Sequence, residues 1–335
     1  MRIGGRQARG AVLDVAMRNA VDFAVDILNP ETAAAKIAQW QSAQDGRSQW
    51  LLVDAMLVDF ARIRTIARKD AWPIHNVLAH SRLAAFGDMA PHLIELRARD
   101  ASAQARVSQL IAAGAAAPAF SWLSSAKRAE EVCQTLSYLA MAQIDSDMEL
   151  HCRFADTRIL PELWRLLTDS QRLRVTQDIA SWSCLDRTNA PCRLNPVVAN
   201  SNEVADQHEF LNLTGGQFAA MVDASEGDTM FSLLLDTTPE LVPVEQRGEF
   251  HATLMDHIDR ATKLGIGAPA DKLQLIVLSL TCTEAFYRLP ELADTWRQVA
   301  GGESLKDCMT QWSDAIWNVL EGKVAGSTAM SPAIR

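Results

Sequence analysis

The chain predicts a two-part fold: an α/β (α+β) N-terminal lobe, with a small mixed sheet covered by helices, followed by an all-helical C-terminal lobe. Three observations carry this reading. Short apolar runs alternate with longer helical patterns between residues 49 and 183, a Pro- and Asn-rich passage at 188–203 breaks every period, and each segment beyond it has helical spacing. Charge divides at the same place, with a net +2 over residues 1–202 and −11 over 203–335. The boundaries read as a helical N-terminal extension (1–47), an α/β lobe (48–190), a linker (191–203), a helical lobe (204–322) and a flexible tail (323–335).

The extension has apolar residues at helical spacing from Val12 to Leu28, and Asn29-Pro30-Glu31 then supplies a cap, a first-turn proline and an acid for a second helix. A helical hairpin is expected. In the next lobe, QWLLVDA (49–55), IHNVLA (74–79), HLIEL (92–96), AFSWLS (119–124), MELHCRF (148–154) and QDIASWS (177–183) have the length and apolar content of strands. Helical patterns fill 56–69, 100–113, 125–142 and 161–168. In the last lobe, Gly265 and Gly267 end one helix, Pro269 and Pro290 start others, and Leu305, Cys308, Met309, Trp312, Ile316 and Leu320 form one stripe of a final helix. Most of Trp164, Trp296, Trp312 and Trp317 are read as core rather than as interface anchors.

Composition narrows the function classes. With 48% hydrophobic and 22% charged residues, the chain is an ordinary globular one. Its longest apolar run, LQLIVLSLTC at 273–282, is half of the roughly 20 residues that a bilayer requires, so no membrane insertion is expected. Asp14, Asp22 and Asp26 interrupt the apolar segment after the arginine-rich start, which argues against a signal peptide and for the cytoplasm. Neither part has the basic footprint of a nucleic-acid binder. The six cysteines at 133, 152, 184, 192, 282 and 308 have no metal-ligand spacing and read as reduced, mostly buried thiols. No metal or cofactor is predicted.

The local motifs are weak. SSAK (124–127) has the Ser-x-x-Lys spacing of some acyl-transfer enzymes, but its serine is also a natural helix cap. His251 and His257 are six residues apart on one predicted helix, nearly opposite each other, and are assigned to a solvated face. LTGGQF and LGIGAP lack the context of a phosphate loop. HCRFADTRILPEL (151–163) is richer. Strand alternation turns His151 and Cys152 to opposite faces, Asp156 is placed to cap the following turn between Arg153 and Arg158, and Pro161 opens a helix. A structural joint is the reading that physics favours, with a binding surface and a chemical site left as alternatives.

RFADTRILPELWRLL resembles the R-F-x-D-P-R signature of the type VI secretion effector chaperones, or adaptors, known as Tap or Tec proteins. WLLVDAML (50–57), HSRLAAFGDMAPHLIEL (80–96), WLSSAKRAEEVCQTLSYL and DIASWSCLDR are similar to further blocks of that family in the same order, together covering about 48–190. Two features depart from it. Thr157 stands where the family usually has proline, and residues 1–45 have no clear counterpart. The resemblance implies a two-lobed, non-enzymatic cytoplasmic protein that binds a toxic effector, often at its PAAR-type or transmembrane region, and helps to load it onto the VgrG spike, with the binding surface in a cleft between lobes or on the helical lobe. It marks Arg153, Phe154, Asp156, Arg158, Asp54 and Pro91 as signature residues, structural or partner-binding. The alternative is a hydrolase or transferase that acts on an anionic substrate through Asp156 and its flanking arginines. An immunity-like inhibitor of a toxin is a third reading.

Overall fold

The structure is a computed structural model that describes residues 23–42, 46–97, 101–145, 148–195, 204–282 and 286–321. The first arm of the expected N-terminal hairpin, up to residue 22, and the tail after 321 lie outside them. The chain divides into two compact units, Met1–Ser225 with Val244–Glu249, and Glu226–Pro243 with Phe250–Arg335.

The first unit begins with α1 (Pro30–Ser42), where the side chain of Asn29 accepts the Thr32 N–H as the sequence suggested. Next come β1 (Ser48–Val53), α2 (Phe60–Lys69), β2 (Ile74–Asn76), β3 (His92–Glu95), α3 (Ala101–Ala112), β4 (Phe120–Ser125) and α4 (Ala129–Ser137). β5 (Met141–Ile144), β6 (Met148–His151), α5 (Leu160–Leu166), α6 (Asp169–Thr176), β7 (Ser181–Leu185), β8 (Pro191–Leu194) and β9 (Leu211–Leu213) complete its sheets and their cover. α7 (Gly215–Thr237) and α8 (Arg247–Lys263) follow.

Six strands form one sheet in the order β2-β3-β1-β4-β7-β8, antiparallel at every pairing. A second sheet, β6-β5-β9, is mixed, because β9 joins β5 in parallel. The predicted α+β class is therefore observed. Both faces of the large sheet are buried. Trp50, Leu52, Leu93, Leu123, Trp182 and Cys184 face one core, which the residues of α4, α5 and the small sheet complete. Leu51, Val53, Ile94, Phe120, Trp122 and Leu185 face the other, under α1, α2 and α3. Double burial explains why WLLV reads as an unbroken apolar run in an antiparallel strand, where one wet face would have produced alternation.

Several boundaries differ from the sequence reading. The helix expected over 125–142 ends at Ser137, turns through Tyr138–Ala140 and becomes β5, which pairs with β6 just after it and with the distant β9. The strand expected over 148–154 ends at His151, and 177–180 close α6 rather than open β7. The expected linker 191–203 begins as β8, hydrogen-bonded back onto β7. β9 adds to β5 further on, so the first compact unit continues to Ser225.

The second unit is helical in its described residues. It holds the C-terminal part of α7, most of α8, α9 (Pro269–Thr281), α10 (Ala293–Ala300), α11 (Leu305–Met309) and α12 (Asp314–Leu320) around a core of Leu275, Phe286, Trp296, Leu305 and Trp312. The expected final helix is broken between Met309 and Asp314, yet its stripe still enters this core. Trp296 and Trp312 are buried, their indole N–H groups donating to Tyr287 O and Thr295 Oγ1. His251 is buried rather than solvated. Its ring lies against Gly227, where a Cβ would stand 2.6 Å from Nε2, so the absent side chain makes the space that the ring fills. Among the described residues no helix is long and apolar enough to cross a membrane.

Candidate functional site

Five separate sequence blocks meet at one end of the large sheet. β1 delivers Asp54 immediately after its last paired residue, and the Asp54 carboxylate turns back to accept the Met56 N–H at 3.0 Å. Asp156 does the same one joint later, accepting the Arg158 N–H at 2.9 Å, while its carbonyl receives the Ile159 and Leu160 N–H groups and so starts α5. Each aspartate stabilises its own turn because a short carboxylate reaches the amide two residues on.

Two arginines close the network. Arg158 forms a two-pronged pair with Asp156, Nε to Oδ1 at 3.1 Å and Nη2 to Oδ2 at 2.7 Å, and its guanidinium lies 4.8 Å from the centre of the Phe23 ring. Arg153 Nη2 stands between the two carboxylates, 3.0 Å from Asp54 Oδ2 and 3.8 Å from Asp156 Oδ2. Asp156 is 0% exposed and Asp54 3%. Two carboxylates face two guanidiniums, so the network is electrically closed. Burial is the dominant effect on Asp54 and pushes its carboxyl above the ordinary value, with Arg153 pulling it back.

Phe154, between these charges in sequence, points away from them. It is 0% exposed and meets Trp182 edge to face at 6.3 Å, and Trp182 in turn meets Trp164 at 6.2 Å. This stack ties the signature turn to β7 and α5. Pro91 is buried, and the β1–β3 register, which pairs Val53 with His92, places it opposite Asp54 when carried one residue further. Gly87 has φ 55° and ψ −122°, a conformation that requires glycine, and its carbonyl accepts the Asn76 side-chain amide at 2.9 Å. The turn it makes sets Phe86 4.7 Å from the His151 ring.

The six signature residues therefore gather at this joint, with Phe154 facing the core. His151 and Cys152 form no reactive pair. Burial and the neighbouring Arg153 lower the affinity of His151 for a proton, and burial pushes the Cys152 thiol up to about 12. The Ser-x-x-Lys spacing resolves into other roles. Ser124 is a strand residue bonded to Ser181 across β4 and β7 at 2.7 Å, and Lys127 lies 3.5 Å from Glu131 and 3.6 Å from Asp178. Neither serine caps α4. Its first turn is held instead by Glu131, which accepts the Arg128 N–H. Thr157 donates its N–H to Pro118 O at 2.8 Å, a bond that proline could not make.

Sequence reasoning found the residues of the turn but missed their partners: Phe23 over Arg158, Trp182 on Phe154, and Phe86 on His151 come from distant segments. A cleft of about 240 Å³ elsewhere in the unit is lined by Arg82, Gln134, Arg174 and Phe210 among others, and by none of the signature residues.

Residues 49–174 match a family model described as a domain of unknown function, DUF4123. Comparison with the curated proteins and with the solved structures gave no match.

Proposed function

We infer that this chain is a non-enzymatic adaptor that binds a type VI secretion effector in the cytoplasm and helps to load it onto the VgrG spike. The DUF4123 match over 49–174 supports the coarse part of this reading, since that family is associated with effector adaptors, and the ordered blocks of the resemblance lie largely inside the matched stretch. The observation that carries the non-enzymatic part is the closed network. Both Asp156 oxygens are occupied by Arg158 in a fully buried position, so a substrate would have to displace an intact ion pair to reach the carboxylate. That arrangement favours the structural joint over the hydrolase or transferase alternative.

The same end of the sheet has a feature suited to a protein partner. Met56 follows Asp54 by two residues and Met89 precedes Pro91 by two, and they are 47% and 55% exposed. The register that sets Asp54 opposite Pro91 brings both methionines to the same sheet end. Exposed, unbranched thioether side chains adapt readily to apolar partner surfaces.

The test is co-expression of the full chain with the effector and spike proteins encoded beside it, followed by affinity capture. Stable capture of the effector, weakened at least tenfold by Met56→Glu with Met89→Glu at unchanged fold, is the expected outcome. If the folded chain captures neither protein, the adaptor reading fails. Hydrolysis of a phosphate ester that Asp156→Asn abolishes without loss of stability would establish the alternative instead.

A further inference from the structure

β7 and β8 form a hairpin at the edge of the large sheet, and their register sets Cys184 directly opposite Cys192. The Asp186 N–H donates to Ala190 O at 2.9 Å, which fixes the phase of the ladder. Counting inward, Leu185 and Pro191 form a non-hydrogen-bonded pair and Cys184 and Cys192 a hydrogen-bonded one. Such pairs have Cα atoms about 5.5 Å apart and side chains on the same face. A disulfide spans about 4.4–6.8 Å between Cα atoms, a range that includes this spacing, and it draws the Cβ atoms to about 3.5–4.5 Å, a small approach of the two strands. Both thiols are free. Cys184 is fully buried, whereas Cys192 is half-buried on β8, which pairs on one side only among the described residues, so the strand has room to adjust.

We propose that Cys184 and Cys192 are a dithiol that a hydroperoxide oxidises to a cross-strand disulfide, stapling the edge hairpin of the first unit. The Cys192 thiolate attacks the outer oxygen of the hydroperoxide, the O–O bond breaks, and an alcohol leaves after taking up a proton. Cys192 becomes a sulfenic acid. The Cys184 sulfur then attacks that sulfur, the S–S bond forms, the S–O bond breaks, and the Cys184 proton leaves with the hydroxide as water. Two thiols lose two electrons, and the peroxide is reduced to an alcohol and water.

The surroundings select this pair. Cys133 and Cys152 are both pushed up to about 12 by burial, and Cys282 and Cys308 are also raised. Cys192 alone among the six is shifted down, by the hydrogen bond it receives from the Cys184 thiol, against burial and the nearby Asp186 and Glu162. The staple also has a lever. The tip of the hairpin holds α1 and the segment before it, with the Asp26 N–H donating to Arg187 O at 2.8 Å, Asn189 Nδ2 to Ile27 O at 3.1 Å and Lys36 Nζ of α1 to Asn189 O at 2.9 Å. Closing the loop between Cys184 and Cys192 restrains the platform on which that segment rests.

The experiment treats the purified full chain with a small excess of tert-butyl hydroperoxide, blocks remaining thiols, and maps non-reduced peptides by mass spectrometry. The expected result is loss of two of the six thiols, one cross-linked peptide joining Cys184 to Cys192, and full recovery with dithiothreitol. Cys192→Ser, at a half-exposed position, keeps all of its remaining thiols under the same treatment. The proposal is overturned if no thiols are lost, if the linked peptides are another pair, or if Cys192 proceeds to sulfinic acid while Cys184 stays free. Folding of Cys184→Ala is not required, because the map of the unaltered chain decides the outcome.

Discussion

Replacing Asp156 by alanine removes the one side chain that joins both halves of the signature turn. Three effects add. The Arg158 guanidinium loses both prongs of a pair whose acid is fully buried, Arg153 loses its second carboxylate, and the Arg158 N–H loses the acceptor that holds the turn. Breaking a buried pair from one side costs about 3–5 kcal/mol. The Arg158 side chain is 16% exposed and water can reach it once freed, which places the expected loss near the lower end, at about 3 kcal/mol. Asparagine keeps one oxygen for the turn but loses the charge and sets its amide NH2 against an Arg158 donor in place of an acceptor, so Asp156→Asn should lose about 2 kcal/mol, the scale of a hydrogen bond to a charged group. Asp156→Ala combined with Arg158→Met should cost less than the two single changes summed, by about 1–3 kcal/mol, because the second change removes the stranded charge. Urea unfolding followed by tryptophan fluorescence and far-UV circular dichroism measures the unaltered chain and the four variants. A loss below about 1 kcal/mol for Asp156→Ala, typical of an exposed pair, would refute the reasoning.

Other perturbations test the same architecture. Thr157→Pro removes the N–H donated to Pro118 O, and leaving that carbonyl unpaired should lower stability by about 1–3 kcal/mol in the same urea titration. Gly248→Ala sets a Cβ 2.5 Å from the backbone carbonyl oxygen of Arg187, whereas Gly227→Ala meets the movable side chains of His251 and Met255. The former should cost about 1–3 kcal/mol and exceed the latter when midpoints are compared. His92 is stacked 4.0 Å from the Phe60 ring, its Nδ1 2.7 Å from Ala90 O, and burial lowers its proton affinity below the usual 6.5. A histidine lowered on folding binds fewer protons folded than unfolded. Its stabilisation is complete above that value and is lost as pH falls below it, at up to about 1.4 kcal/mol per pH unit. His92→Phe should flatten the stability profile below pH 6.5, measured by thermal unfolding across pH. Phe154→Ala empties a position between Trp182 and the core and should cost about 3–5 kcal/mol by denaturant titration, more than any surface change.

The local elements were legible in the sequence where short-range chemistry decides them. Asn29-Pro30 marks the start of α1, WLLV and HLIE mark central strands, and Asp156 before an apolar run marks a turn opening into a helix. Each signal acts over four residues or fewer, through a cap, a proline or an uninterrupted apolar run. Boundaries failed where pairing with another strand decides them. Met141–Ile144 has helix-compatible residues yet is a strand because β6 and β9 pair with it, and Pro191–Leu194 lies among breakers yet is a strand because β7 supplies its ladder.

Local patterns in the chain were enough for the α+β class, the helical C-terminal part and the cluster of charges around Phe154. They also restricted the histidine and cysteine of HCRFADTRILPEL to neighbouring, alternating positions. What the charges do depends on contacts between distant segments. Arg153 and Asp156 lie three residues apart and are neighbours in one turn, but Asp54 lies 99 residues before Arg153 and reaches it only because β1 and the joint before α5 meet at the same end of the large sheet. Burial then makes the difference. In water the same four groups would form a weak, screened cluster, whereas under the sheet each charge must find its opposite, and that requirement makes the turn a joint.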